Sequence, residues 1–367
     1  MRILGIETSA DDTGVAFIEA EGTFGASFRF SLLANEIASQ EHAEYGGIYP
    51  NLAKNEHKKN LPLLLEKATA VHGRPDIIAV TVGPGLEPCL WTGITFAQKL
   101  ATDWNVPVVA VNHLEGHILM SMVHFNDSPH PDTLLLGKVS GFEKFEFPVL
   151  ALLISGGNTQ LVLSKEPLRY EVVGKTRDDA VGEAFDKVAR MMGLPYPGGP
   201  EVSRLAEQAR KISKSDIHNY GSPTSIRLPR PMINEDNFDF SFSGLKTAVL
   251  RILEANAPAS DVLKKKLARE FEDAAADVLV AKTVRAVEQF GVSTVVGGGG
   301  VSANTFIRLR LAEALAEAGS KFFVCPPELS TDNAAMIALA GYFHAQNRDF
   351  ARPDTLVAKG NLRLETL

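Results

Sequence analysis

Six consecutive residues, Asn112-His113-Leu114-Glu115-Gly116-His117, follow directly on the apolar run Val108 to Val111. An asparagine after a strand-like run predicts a helix start, with Glu115 three positions on reaching back as the capping-box partner. On such a helix His113 and His117 stand at i and i+4 on one face, which suits two imidazole ligands of a single transition metal. A bare His-x-x-x-His also fits an ordinary polar strand-to-helix junction, so a further donor is needed. Asp332, after Ser330-Thr331 at a predicted helix start, offers a carboxylate for that place.

A second group consists of glycine turns placed after apolar strands: Gly83-Pro84-Gly85, Gly156-Gly157 and Gly297-Gly298-Gly299-Gly300. Such turns let backbone N–H groups approach phosphate oxygens, and a following helix adds its positive N-terminal end. Each alone is explained equally well by the steric demands of a turn. Taken together they favour a nucleotide-like ligand. Asp178, Asp179 and Asp186 lie at the start of, and within, the helical stretch 180–192. Asp186 suits either a ligand hydroxyl or a salt bridge to Lys187 or Arg190. Asn304, just past the tetraglycine, suits either a base or sugar contact or a helix cap.

The elements that must position these residues alternate between strand and helix. Ile3 to Thr8, a turn at Ser9 to Asp12 and Thr13 to Ile18 read as a β-hairpin. The form recurs at Val149 to Ile154, the turn Ser155 to Asn158, and Thr159 to Leu163. Between them come a helix over 51–71, a strand over 77–82, a helix over 93–103 and the strand 108–111. The second half is predicted to carry helices over 181–192, 243–256 and 264–290, a strand at 294–296, a helix from Ala303, a strand at 322–324 and a closing helix from Asp332. This is the mark of an α/β fold. The segment 127–147, with Pro129, Pro131, Gly137 and Gly141, reads as an insertion or linker. The expected organisation is therefore 1–126, 127–147, 148–345 and a tail 346–367.

The chain has 367 residues, 45% of them hydrophobic, enough for two cores. Glu7 interrupts the first apolar run, and no stretch reaches about 18 uninterrupted apolar residues, so a soluble, cytoplasmic protein without a membrane segment is expected. Cys89 and Cys325 are too few for a disulfide framework and lack zinc-site spacing. A net charge of -7 excludes broad nonspecific nucleic-acid binding, so any RNA contact must use a local patch. Candidate patches are Lys54, His57, Lys58 and Lys59, then Lys264, Lys265, Lys266 and Arg269, then Arg227 and Arg230; each also reads as a solvated face.

The ordered strings resemble the universal tRNA threonylcarbamoyltransferase family, formerly labelled O-sialoglycoprotein endopeptidase. They are Ile3 to Ser9, Asn112 to His117, Leu153 to Gly157, Gly182 to Lys187, Tyr196 to Gly199, Phe240 to Lys246, Gly298 to Asn304 and Thr331 to Met336. The resemblance implies the two-lobed fold of actin, heat-shock chaperones and sugar kinases. It implies that His113, His117 and Asp332 hold one divalent ion, iron or zinc. It implies that Ile154, Ser155, Gly156, Gly157, Asn158, Asp186, Gly199 and Asn304 receive threonylcarbamoyl-AMP, whose acyl group passes to an adenosine of tRNA; ATP with magnesium is left open as a further ligand. The implied partners are tRNA, an adenylate-forming synthase, a related dimerising subunit and a small ATPase. Where the family usually has His, this chain has Asn158, which is kept as a contact with no acid or base role. Ala10 and Asp12 replace the usual Cys and Glu.

Three other functions compete. A zincin protease places Glu immediately after the first His, whereas Glu115 is one position later and turned about 100° round the helix. A kinase or ATPase on the same scaffold would hold magnesium on carboxylates, for which imidazoles are poorly suited. A nucleotide-controlled scaffold would bind the same ligands without turnover.

Overall fold

The computed structural model describes residues 1–25, 27–40, 47–124, 139–142, 145–211 and 226–366. They divide into two compact units, one of Met1–Glu146, Lys165–Glu171 and Phe323–Leu367, the other of Phe147–Ser164 and Val172–Phe322.

The first unit opens with the expected hairpin, β1 (Arg2–Glu7) and β2 (Asp12–Glu21), extended by β3 (Arg29–Ser39). Helix α1 (Pro50–Thr69), β4 (Ile77–Gly83), α2 (Glu87–Trp104), β5 (Val108–Asn112), α3 (His113–Ser121) and the short strands β6 (Val123–His124) and β7 (Val139–Phe142) follow. Most of the 127–147 segment lies outside the described residues. The sheet runs β5-β4-β1-β2-β3-β7-β6, with β1, β4 and β5 parallel. β4 is buried along its whole length, which explains its continuous apolar sequence. Helix α2 begins at Glu87, earlier than its apolar period suggests, because Pro88 is tolerated in a first turn.

The second unit is built on β8 (Val149–Ile154), β9 (Thr159–Glu166), β10 (Arg169–Lys175), α4 (Val181–Met191), α5 (Gly198–Lys211), α6 (Ser243–Ala255), α7 (Asp261–Phe290), β11 (Thr294–Gly298), α8 (Thr305–Glu317) and β12 (Lys321–Val324). Its sheet order is β10-β9-β8-β11-β12, with β8 and β11 parallel. Helix α5 was not expected: Gly198-Gly199 opens a helix whose Val202, Leu205 and Ala206 enter the core.

The chain returns to the first unit through a short turn of helix, α9 (Pro327–Ser330), and α10 (Ala334–Gln346). Every residue from Ala334 to Phe343 is buried, as an all-round apolar helix requires. Its approach to the sheet depends on glycine: a Cβ on Gly5 of β1 would lie 2.2 Å from Ala334 O, and one on Gly341 would lie 2.3 Å from Ala79 Cβ. Beyond α10, Leu356, Leu362 and Leu364 are buried, and the final stretch is tied down by Lys359 N–H donating to Val82 O at 2.8 Å.

Candidate functional site

The end of β5 delivers Asn112, whose Oδ1 accepts the Leu114 N–H at 2.9 Å and starts α3 as expected. The other half of the capping box does not form. Glu115 is 2% exposed and meets His344 Nε2 on α10 at 2.7 Å. A buried carboxylate needs a cationic or hydrogen-bonding partner more than a helix end needs a second cap, so the tertiary contact wins. This also removes Glu115 from any role as the base of a protease. Gly116 lets α3 press on α10, since a Cβ there would lie 3.1 Å from Met336 Cγ.

That packing brings together the two histidines and Asp332, which are far apart in sequence. Asp332 Oδ1 lies 3.1 Å from His117 Nε2 and 3.4 Å from His113 Nε2, and one ligand atom from each residue falls within 4.8 Å of the others. Bonds of about 2.0–2.1 Å in a tetrahedral shell place donors about 3.3 Å apart, so the spacing fits one transition-metal ion. The donor chemistry fits too: two imidazoles and a carboxylate leave a fourth position. Both histidines are buried while the Asp332 side chain is 23% exposed, which opens the cluster on that side. Asn333, fully buried, fixes the turn that carries Asp332. Its Oδ1 caps α10 at Met336 N, and its Nδ2 donates to Leu329 O and Thr331 O.

Electrostatics reinforce the grouping. Burial opposes charge on His113, but the adjoining Asp332 and Glu7 carboxylates outweigh it and hold the imidazole well above its ordinary pKa. Burial likewise opposes ionisation of Asp332, and the two imidazoles overcome it, holding the carboxyl below its usual range. Glu7 and Ser9, which meet His113 Nδ1, and Thr81, which donates to Glu7, were not singled out from the sequence. The signal for Glu7 was a charged residue closing an otherwise apolar strand.

The other predicted contacts belong to the second unit. The turn Ser155 to Asn158 is closed by Ser155 N–H to Asn158 O at 2.8 Å and Asn158 N–H to Ser155 Oγ at 3.1 Å. A Cβ on Gly156 or Gly157 would meet nothing within 4 Å, so these glycines face open space. Gly182 at the start of α4 touches the same turn, with a Cβ there 2.5 Å from Ser155 O, and Gly299 lies against Ile154, with a Cβ 2.6 Å from its O. The turn after β8, the N-terminus of α4 and the turn after β11 thus converge. Asp186 uses Oδ1 to accept N–H groups from Gly198 at 2.8 Å and Gly199 at 3.3 Å. Burial raises its pKa against those two donors.

Asn304 is a helix cap: its Oδ1 accepts the Ile307 N–H at 3.0 Å, and its Nδ2 donates to Ser203 Oγ and Glu272 Oε1, both at 2.8 Å. Glu272 is itself fully buried and paired with Arg210. Asp178 and Asp179 are structural. Asp178 accepts the N–H groups of Phe242 and Ser243 at the start of α6, and Asp179 joins Lys187 to Lys246. Among the basic patches, His57 is buried, between Thr13 Oγ1 and Ala10 O, and leaves its group; Arg230 is paired with Glu270 and Asp277. Among the described residues no helix is long and apolar enough to cross a membrane.

The family profile described as tRNA N6-adenosine threonylcarbamoyltransferase matches residues 31–339. A protein of that name from Paraburkholderia xenovorans (strain LB400) is 44% identical over 358 residues, covering 94% of this chain and 93% of its own. Among solved structures, full-length HypF in its phosphate- and nucleotide-bound form superposes with a TM-score of 0.53 at 13% identity, over 94% of this chain and 55% of that one. The last likeness concerns fold alone.

Proposed function

The chain belongs to the tRNA N6-adenosine threonylcarbamoyltransferase family, and from that membership we propose how its two sets of residues divide the work of the reaction. It is an acyltransferase of tRNA threonylcarbamoyladenosine synthesis, on an α/β fold of the actin, heat-shock-chaperone and sugar-kinase type. The donor in this reading is threonylcarbamoyl-AMP. The acceptor is N6 of the adenosine immediately 3′ of the anticodon in tRNAs that read codons beginning with A. The N6 lone pair is delocalised into the purine, so a weak nucleophile needs a carbonyl with a good leaving group. The carbamoyl-phosphate anhydride supplies it: the new N–C bond forms, the anhydride C–O bond breaks, AMP departs, and N6 loses a proton.

The observation that carries the reading is the convergence of His113 Nε2, His117 Nε2 and Asp332 Oδ1 within 4.8 Å of one another. These residues would hold one divalent ion, iron or zinc. Such an ion supplies Lewis-acid polarisation of a donor oxygen. The N–H groups of Gly156 and Gly157, two residues with open space where a Cβ would stand, are assigned to oxygens of the adenylate, with Ile154, Ser155 and Asn158 shaping the turn. Asp186 holds Gly198 and Gly199 with one oxygen, leaving the other to accept a ligand hydroxyl. Asn304, its amide already committed to the protein, positions the turn after β11. A flexible anticodon loop can present its base to such a site, and positioning would then supply much of the rate. A cytoplasmic setting, a separate adenylate-forming synthase, a related dimerising subunit and a small ATPase complete the proposal.

The test is mass spectrometry of tRNA nucleosides from cells depleted of this protein and rescued with wild type or His113→Ala. Loss of N6-threonylcarbamoyladenosine with rescue by wild type alone is expected. Unchanged modification in depleted cells without a redundant copy would overturn the assignment.

A further inference from the structure

Glu7 is the last residue of β1, wholly buried, and acts as an acceptor for three donors. Its Oε1 takes the backbone N–H of Ser9, while its Oε2 takes the Thr81 hydroxyl at 2.6 Å and lies 3.0 Å from His113 Nδ1. A carboxylate cannot donate, so the hydrogen bond keeps a proton on Nδ1; when the ring gives up its second proton, the lone pair is left on Nε2, on the side of His117 and Asp332. Ser9 Oγ, 3.2 Å from the same Nδ1, is a competing neighbour, but a hydroxyl can donate or accept and so does not select a tautomer. Thr81 on β4 prevents the carboxylate from rotating away. Thr81 on β4 and His113 at the start of α3 thus meet the same oxygen of a carboxylate carried by β1, the strand beside β4.

We propose that Glu7 is a positioning residue that fixes His113 in the metal-binding tautomer and orientation and so sets the affinity of the cluster for a divalent ion. The inference rests on the metal centre proposed above. Carboxylates behind ligand histidines act this way in general, and their removal weakens metal binding about 10–100-fold.

The experiment is competition of purified, metal-free full-length protein against a chromophoric chelator for Zn2+, with Co2+ absorption as a report on the coordination shell. Glu7→Gln is expected to raise the Zn2+ dissociation constant about 10–100-fold and to alter the Co2+ spectrum. Thr81→Val is expected to raise it by a smaller factor, and it carries the test if Glu7→Gln does not fold. Urea unfolding of the zinc-free proteins separates a merely structural role, which would lower the midpoint and leave Zn2+ affinity at the wild-type value; that result overturns the proposal. Ser9→Ala producing the loss expected of Glu7→Gln, with Glu7→Gln unaffected, would also overturn it. Wild-type affinity in His113→Ala would sink the metal centre itself, an outcome distinct from failure of the anchor alone.

Discussion

At the scale of single residues, the side chains with most consequence are those whose polar atoms are all committed. Asn304 caps α8 with its oxygen and spends both amide hydrogens on Ser203 and Glu272. Asn304→Asp would keep the cap but turn an oxygen toward the buried Glu272 carboxylate, replacing a donor with a like charge. Losing a buried hydrogen bond and leaving its acceptor unsatisfied costs about 1–3 kcal/mol. The substitution is therefore expected to lower stability by about that amount and to raise the KM for the adenylate more than it lowers kcat. Steady-state kinetics with supplied adenylate and urea unfolding would check it; a kcat loss at constant KM would remove Asn304 from donor positioning.

At the scale of elements, α3 and α10 frame the proposed metal site, and the Glu115–His344 pair is their ionic link. Burial disfavours the imidazolium of His344, yet Glu115 at 2.7 Å and Asp349 at 3.2 Å push its pKa up to about 9. A folded-state pKa above the unfolded value of about 6.5 means the folded state binds the proton more tightly. The resulting stability is fully present below about pH 6.5 and is lost as pH rises through about 9, amounting to about 2–3 kcal/mol for a largely buried pair. Urea unfolding of the metal-free protein across that window should show the decline, and Glu115→Gln should flatten it. An unchanged slope in the variant would assign the pH dependence elsewhere.

At the scale of the whole molecule, the stretch after α10 is part of the first unit's core. Leu356, Leu362 and Leu364 are buried, and Arg363 O accepts from Asn112 Nδ2 at 3.3 Å, immediately before His113. Each buried leucine contributes about 1.5–3 kcal/mol, comparable in sum to the stability of a typical domain. A chain ending at Asp349 is expected to unfold at markedly lower urea and to lose Zn2+ affinity, measured by circular dichroism and the same chelator competition. Wild-type values for both would show the tail to be dispensable.

Local chemistry made much of this legible in advance. Apolar runs bounded by turns located β1, β2, β4, β5, β8 and β11, because a strand buried on both faces leaves a continuous signature. His113 and His117 were legible as a pair because helical periodicity alone puts i and i+4 on one face. Elements opened by glycine or proline were misread or missed, as with α5 and the first turn of α2, because those residues break patterns as readily as they begin them. The partner of Glu115, the carboxylate behind His113 and the commitment of Asn304 to Glu272 were not legible. Each joins residues far apart in sequence, through approaches such as Gly5 and Gly116 against α10 that arise only once the elements of a unit are packed. The sequence by itself determined most of the strands and helices, the family and the residue types available for chemistry. Only the tertiary structure decided which of those residues meet, because buried polar groups take whichever partner the packing brings within reach.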